Sequence, residues 1–420
     1  MIETKQLLPG ITLRCFPIGR FKQDYISIQI VRPMCREEAA KNALLPAVLL
    51  RGCKSAPDIR AIVKKLDDLY GASAGALVRQ VGDYQTTGLS CSFIREDFAL
   101  EGDRILAPAL DFLGQLLLEP LTEKDAFRAD YVESEKKNLI STIDAKRNDK
   151  RAYCLSQMLT KMCKNDAFGI NRLGQREDVE PITPQSLYAH YRKILKQSRI
   201  DICYVGGGDR DALAASLKSL FGTLERDYVN LPAQTAFTPT GGGDFTEKMN
   251  IAQGKLSMGF TTPINQREGD LVAMQVCNVV LGSGMTSKLF MNVREKMSLC
   301  YDIRSGYYGS KGIFTVSAGI DCDKKQVVMD QVHTQLQAIC DGDITPQELF
   351  AAKEALLSGL RETHDAPGSI EYYYATAALS GMNMTPAEYM DKIAAVDAER
   401  VAEAAKTLRL DTTYFLQGVQ

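Results

Sequence analysis

The feature that most constrains the fold is a repeat of the chain within itself. Ile182-Thr-Pro-Gln-Ser-Leu-Tyr-Ala-His-Tyr leads through a helical pattern into Ile-Cys-Tyr-Val-Gly206. Val396-Asp-Ala-Glu-Arg-Val-Ala-Glu-Ala-Ala leads the same way into Tyr-Phe-Leu-Gln-Gly418. The two starts lie 214 residues apart and the two ends 212. Leu69-Tyr-Gly and Leu299-Cys-Tyr, 230 apart, each close a helix ahead of a strand pair. A copied unit needs its own core, and the chain accommodates two copies of an α+β unit of about 200 residues.

The local patterns fill in that unit. Residues 11–17 and 24–32 alternate apolar and polar and read as strands joined at Gly19. A helix is expected from Glu38 to Leu50, with Pro46 either in its first turn or kinking it. A second opens at Ser55-Ala-Pro57, with Ser55 as N-cap, and puts Ile59, Ile62, Val63, Leu66 and Leu69 on one face. Strands follow near 74–81 and 84–93, helices at 103–118, 122–145, 150–163, 184–196 and 210–221, and a strand at 199–205. In the second half strands are expected at 249–261, 311–321 and 412–417. Helices are expected there at 267–281, 286–297, 345–363, 368–380, 386–394 and 397–407. Short connections between neighbouring strands favour a largely antiparallel sheet covered by helices in each copy. The expected domains are 1–222 and 248–420. The linker 223–247 contains Pro232, Pro239 and Gly241-Gly-Gly243.

Composition excludes several classes of function. A net charge of −2 offers no bulk attraction to nucleic acid or acidic membranes. Eleven scattered cysteines contain no Cys-x-x-Cys pair, which argues against a zinc ribbon and for a reducing compartment. No signal peptide or transmembrane run is visible, so a cytoplasmic protein is expected. The three histidines, His190, His333 and His364, are not spaced as metal ligands. His190 and His364 read as solvated or core-satisfied, Glu135-Lys-Lys137 as a solvated helix face, and Tyr372-Tyr-Tyr374 as helix packing.

One stretch carries chemistry: Gly282-Ser-Gly-Met-Thr-Ser-Lys-Leu-Phe-Met-Asn-Val-Arg-Glu-Lys-Met-Ser-Leu-Cys-Tyr301. Gly282, Ser283 and Gly284 read as a backbone turn feeding a helix; a phosphate cradle is the alternative, but the Walker pattern is absent. Gly206-Gly-Gly208 likewise reads as a strand-to-helix loop. Arg294 and Tyr301 follow, seven residues apart. Either they are a surface cation paired with Glu295 and a packed aromatic, or they are donors to a developing oxyanion, for which a guanidinium and a phenol are suited.

This stretch resembles the second-domain signature of the insulinase-like metallopeptidases, the M16 or pitrilysin superfamily. There a glycine loop, a Ser-Arg/Lys-Leu-Phe helix, Arg-Glu-Lys and Leu-x-Tyr occur in the same order. The resemblance extends over nearly the whole chain. It implies two homologous α+β domains arranged as a clamshell, with Arg294 and Tyr301 holding a peptide substrate. In that family the first domain carries zinc on an inverted His-x-x-Glu-His motif, with a further glutamate roughly 75 residues on.

Here the metal motif is degenerate. Asn42 and Pro46 stand at the histidine positions and Leu45 at the position of the general base. Ser141-Thr142 replaces the distal acidic pair, and Gly75-Ala76 replaces the family's substrate-binding Asn-Ala. Zinc requires three or four imidazole, thiolate or carboxylate donors, and its bound water requires a base. Asn42, Leu45, Pro46 and Thr142 supply none. The chain is therefore expected to hold no cofactor and to be inactive alone. The resemblance implies a heterodimer in which a zinc-bearing paralogue completes the site and a peptide or unfolded polypeptide is the substrate. The alternative is a non-catalytic scaffold or peptide-binding homologue; a third reading is a peptidase using another metal or a cysteine. The Asn42–Pro46 segment and the length also resemble zinc-less members of Gram-positive bacteria associated with elongation factor P modification.

Overall fold

A computed structural model describes residues 2–232 and 242–419. Residues 233–241 of the expected linker lie outside the described residues. Two sheets carry the architecture. The first contains β1 (Glu3–Leu8), β2 (Ile11–Pro17), β3 (Gln23–Pro33), β4 (Ser73–Val81) and β5 (Tyr84–Ile94). Two-residue strands β6 (Thr122–Glu123) and β7 (Ala126–Phe127) form a separate hairpin, and β8 (Arg199–Gly206) returns to the first sheet. The second sheet contains β9 (Gly243–Met249), β10 (Gly254–Thr261), β11 (Asp302–Tyr308), β12 (Ile313–Ile320) and β13 (Arg409–Gly418).

The strand orders are β1-β2-β8-β3-β5-β4 and β11-β12-β10-β13-β9. Setting β1 aside, the first sheet maps onto the second strand for strand. β2 beside β8 and β9 beside β13 are parallel; the other pairs are antiparallel. The internal repeat is thus a repeat of topology, and the α+β class holds. One face of the first sheet is apolar, with Ile26, Ile28, Ile30, Leu89 and Ile202 packed into the main core under helices.

The chain divides into two compact units that do not follow chain order. Unit 1 is Met1–Asp144, Ile170–Ala233 and His364–Thr376; unit 2 is Ala145–Gly169, Gln234–Thr363 and Ala377–Gln420. Each unit therefore takes one segment from the other half of the sequence. In unit 2 that segment carries the helix Lys150–Met162, which packs on β10 and β13. The Cys154 thiol donates to the carbonyls of Lys255 (3.2 Å) and Tyr414 (3.3 Å). Gly259 is required beneath this helix, because a Cβ there would lie 2.6 Å from the Met158 sulfur and 2.7 Å from that of Met162.

In unit 1 the borrowed segment covers the other face of the first sheet. Ile370 and Ala375 pack with Phe16, Cys203 and Val205. Tyr374 stacks on Phe16 at 4.7 Å. The fastening is electrostatic. Glu371, fully buried, accepts hydrogen bonds from Ser27 Oγ (2.8 Å) and Gln29 Nε2 (2.7 Å). The Arg79 guanidinium grips both of its oxygens, at 3.0 and 2.9 Å. A buried carboxylate is tolerated only when its lone pairs are filled in this way.

Several local expectations are corrected. Pro46 is the eleventh residue of the helix Arg36–Leu49, not in its first turn. The next helix is Ile59–Asp68 and is capped by Asp58, whose side chain accepts from Ala61 N, not by Ser55. Its Ile62 is buried, whereas Ile59 and Val63 are exposed. The helix expected from 122 starts at Ala129, because the β6–β7 hairpin uses the intervening residues. The helix Lys325–Cys340 is not among those expected, although its buried Val328, Val332, Leu336 and Ile339 recur at helical spacing. Strands β1, β9 and β11 were also missed; β1, β9 and β11 are edge strands, whose half-exposed residues give a weak apolar signal. Glu135 and Lys136 are not a solvated face. Glu135 pairs with Arg51 at 3.3 Å, and Lys136 donates to the carbonyls of Glu180 and Ile182.

The Glu371 cluster makes a stability prediction. Glu371→Ala leaves the Arg79 guanidinium without its carboxylate and Ser27 and Gln29 with only their mutual hydrogen bond at 3.3 Å, and should cost about 3–5 kcal/mol. Urea unfolding monitored by circular dichroism measures this; a loss below about 1 kcal/mol, the range of a surface pair, would contradict it.

Candidate functional site

The helix Arg36–Leu49 carries Asn42, Leu45 and Pro46, three of the four residues expected to stand at degenerate metal positions. Asn42 is 1 % exposed and sits at the centre of a hydrogen-bonded chain. Gln85 Nε2, from β5, donates to the carbonyls of Ala39 (3.0 Å) and Arg172 (2.6 Å). That orientation turns Gln85 Oε1 toward Asn42, whose Nδ2 donates to it at 2.8 Å. Asn42 Oδ1 is then the acceptor for His190 Nε2, 2.7 Å away, so the imidazole proton lies on Nε2. Two main-chain carbonyls thus set the direction of the whole chain of bonds.

Pro46 adds a second constraint. Proline has no N–H, so the carbonyl four residues earlier loses its helical donor. That carbonyl belongs to Asn42, and the Thr87 hydroxyl donates to it at 2.6 Å. Leu45, 1 % exposed, is packed in the apolar core with Leu44 and Val48. Thr142 lies on the exposed side of the helix Ala129–Asn148 and bonds back to the carbonyl of Asn138.

The donor set does not fit zinc. The Asn42 amide and the His190 Nε2 are committed to each other, and Leu45 and Pro46 have no donor atoms. Among the described residues no group of three or more His, Cys, Asp or Glu side chains could hold a metal ion. The surroundings are also cationic. Burial pushes the Glu38 carboxyl up, but Lys193 (2.8 Å) and Arg32 (2.9 Å) outweigh it and hold it below the usual range. His190 is lowered to about 4, chiefly by burial, with Lys41, Arg32 and Lys193 adding to the effect.

Unit 2 carries the other half of the expected site. Leu281, Gly282 and Ser283 close a π-helical turn, Val279–Ser283. Gly282 is needed there, because a Cβ would lie 2.8 Å from the Ser305 nitrogen of β11. Gly284 is extended, and its carbonyl accepts from Ser287 N at 3.1 Å. Arg294 lies in a second π-helical segment, Leu289–Lys296. Such wide turns are rare and frequent at functional sites. Leu289 and Val293 anchor this one in the core. Lys288, 5 % exposed in its side chain, pairs with Glu348 at 3.0 Å, and Asn292 donates to Gln335 at 2.6 Å. The segment ends at Ser298, which takes a positive φ of 50°.

Arg294 is half-exposed. Its guanidinium stands over the Phe290 ring at 4.6 Å and lies 3.7 Å from a Glu295 oxygen. Tyr301 is 60 % exposed, and its hydroxyl donates to Asp321 at 3.1 Å. That hydrogen bond holds the phenol pKa above its usual value, so Tyr301 keeps its proton. The two side chains are thus both accessible hydrogen-bond donors on one unit, each with a local partner, that of Tyr301 being one the sequence pattern does not reveal.

Several of the buried cysteines are poor nucleophiles. Eight of the eleven are buried. Burial pushes Cys91 and Cys277 up to about 12 and Cys154 and Cys300 to about 11, where the thiolate is scarce at neutral pH. No helix among the described residues is long and apolar enough to cross a membrane.

Known proteins resemble this chain along its whole length. Residues 181–356 match the model of the Peptidase M16 inactive domain. A Bacillus subtilis protein titled "Probable inactive metalloprotease YmfF" is 31% identical over 419 residues, covering 100% of this chain and 98% of its own length. "Uncharacterized zinc protease YmxG", from the same bacterium, is 26% identical over 58% of this chain and 59% of its length. The crystal structure of a conserved protein from Enterococcus faecalis V583 superposes with a TM-score of 0.94 at 26% identity, covering 100% of this chain and 99% of that one.

The buried histidine makes a pH prediction. Its folded pKa, about 4, lies below the ordinary value of 6.5. Between those values the unfolded chain takes up a proton that the folded chain refuses, so acid destabilises the fold. Full depression is equivalent to roughly 3 kcal/mol. The stability lost by the wild type between pH 6.5 and pH 4 should therefore exceed that lost by His190→Gln by up to this amount. Parallel pH profiles in urea unfolding would contradict the assignment.

Proposed function

This chain belongs to the M16 peptidase family as an inactive metalloprotease homologue, and from that premise we propose that it is the metal-free subunit of a two-chain peptidase. A zinc-bearing paralogue supplies the metal and its water. This chain supplies Arg294 and Tyr301, which bind the substrate peptide and donate to the oxyanion as the peptide bond is attacked.

The observation that carries the reading is the contrast between the two half-sites. Of the expected metal positions, Asn42 is buried and satisfied, Leu45 is a core leucine and Pro46 is buried, while Thr142 alone faces outward. At the signature stretch the guanidinium and phenol remain accessible, the first on a π-helical segment held by buried polar anchors and the second just beyond it. A fold retained for shape alone has no need of that expense. The pairing is also supported by the occurrence of both an inactive and a zinc-protease relative in one bacterium.

A second reading, a scaffold with no part in proteolysis, is favoured by the local partners of the pair: Glu295 and Phe290 at Arg294, and Asp321 at Tyr301. One experiment separates the two. The chain is co-expressed with a paralogue bearing His-x-x-Glu-His, and hydrolysis of a quenched fluorescent peptide is followed. Arg294→Ala should lower turnover about 10²–10³-fold, the range for loss of one oxyanion donor, while leaving assembly and zinc content unchanged. Tyr301→Phe should act in the same direction. Undiminished turnover in Arg294→Ala would remove the catalytic role and leave the scaffold.

A further inference from the structure

The two sheets share one topology, but their coverings differ. In unit 1 the strand β8 is followed by the helix Arg210–Gly222. Its Leu213, Leu217 and Phe221 recur every four residues and are fully buried in the main core. Leu220 lies over the helix Leu106–Leu118, where a Cβ on Gly114 would stand 2.6 Å from it. The chain then crosses the C-terminal end of the helix Pro184–Gln197. Asp227 N and Val229 N donate to the carbonyls of Lys196 and Gln197, each at 3.0 Å. Arg226 takes the carbonyls of Leu195 and Ser198, each at 2.6 Å, and Glu225 lies 3.6 Å from Lys196 Nζ.

Unit 2 has the same frame. The helix Lys325–Cys340 follows β12 as Leu106–Leu118 follows β5, each by way of a 3₁₀ turn that starts two residues beyond the strand. The helix Ala398–Ala405 leads into β13 as Pro184–Gln197 leads into β8. Among the described residues no helix follows β13. At the place that unit 1 covers, unit 2 has an open groove of about 930 Å³ between Lys325–Cys340 and the start of β13. Phe260, Leu336 and Leu408 form its floor, and Leu410, 38 % exposed, stands at its edge.

The backbone at this end needs nothing more. Arg409 donates to the carbonyls of Lys406 (2.5 Å) and Leu408 (2.9 Å), as Arg226 does at the corresponding turn of unit 1. What unit 2 lacks is the amphipathic helix. The charges on the rim also ask for a partner. Lys406 and Arg409 face a single lining acid, Asp341, and the pairing of Lys406 with Glu403 is a surface contact three residues apart, which is weak. A helix laid in a groove is read by apolar side chains at such a spacing, with its polar face left to the rim.

We propose that this groove docks an amphipathic helix of another protein chain, one with leucine or phenylalanine every four residues and an acidic residue just beyond its C-terminal end. Its apolar side chains extend the core over Leu336, Leu408 and Leu410, and its acid pairs with Lys406 as Glu225 pairs with Lys196. The inference does not rest on the two-chain reading, because the groove uses neither Arg294 nor Tyr301.

Fluorescence anisotropy of the full chain tests this with a fluorescein-labelled peptide that copies residues 210–229. A second peptide carries Leu213→Ser, Leu217→Ser and Phe221→Ser. The first should bind saturably and the second should not. Leu410→Arg in the protein should weaken binding about tenfold or more while keeping the wild-type melting temperature, since the altered side chain lies at the surface. Lys406→Glu should weaken it about two- to fivefold, and Glu225→Lys in the peptide should recover that loss. Absence of saturable binding, equal binding of the two peptides, or undiminished binding by Leu410→Arg would overturn the proposal.

Discussion

The side-chain amide of Asn42 joins β5 to the helix Pro184–Gln197 through Gln85 and His190, while its carbonyl takes the Thr87 hydroxyl that Pro46 makes necessary. Four residues from three elements are held by these contacts, all of them out of water. Inside a protein an unpaired amide or imidazole costs about 1–3 kcal/mol, so such a network is stable only when complete. Its completeness is what decides the chemistry of the first half of the chain. Restoring one histidine at position 42 would not restore a ligand set. It would remove an amide on which Gln85 and His190 depend, and Leu45 would still be part of the apolar core.

The same logic of completed polar clusters runs through the rest of the fold. Glu371 is buried without penalty because Ser27, Gln29 and Arg79 fill its lone pairs. Its position ties a segment from late in the sequence to the first sheet, as Cys154, Met158 and Met162 tie an earlier segment to the second. Lys288 and Asn292 do likewise for the π-helical turn that carries Arg294. Sites that are closed by such clusters have become structure. Arg294 and Tyr301 are tethered only at their edges.

Much of this was legible in the sequence. The repeat offsets anticipated two sheets of one topology, and the absence of donors at Asn42, Leu45, Pro46 and Thr142 anticipated a chain unsuited to zinc. The reasons for what was not legible are physical. Edge strands such as β11 bury only part of each residue, so their alternation is faint. Gln85 and His190 lie 43 and 148 residues from Asn42, and nothing local marks their convergence. Ser55 is a sound N-cap residue by type, but Asp58 three residues on takes the role, with Ala61 N donating to its side chain. The stretch around Arg294 is π-helical, and its partners Gln335 and Glu348 lie 43 and 60 residues from the side chains they hold, which the local spacing of apolar residues does not encode.

The central claim is that one half of a divided site has been converted to core while the other has been kept for use beside another chain's metal. Its most direct test is a zinc count by plasma mass spectrometry on the purified chain and on its purified complex with a paralogue bearing His-x-x-Glu-His. The account predicts no stoichiometric zinc in the chain alone and one zinc per pair in the complex, with all of it lost when the paralogue's histidines are replaced. One zinc bound by the isolated chain, or zinc retained in the complex after those replacements, would contradict it.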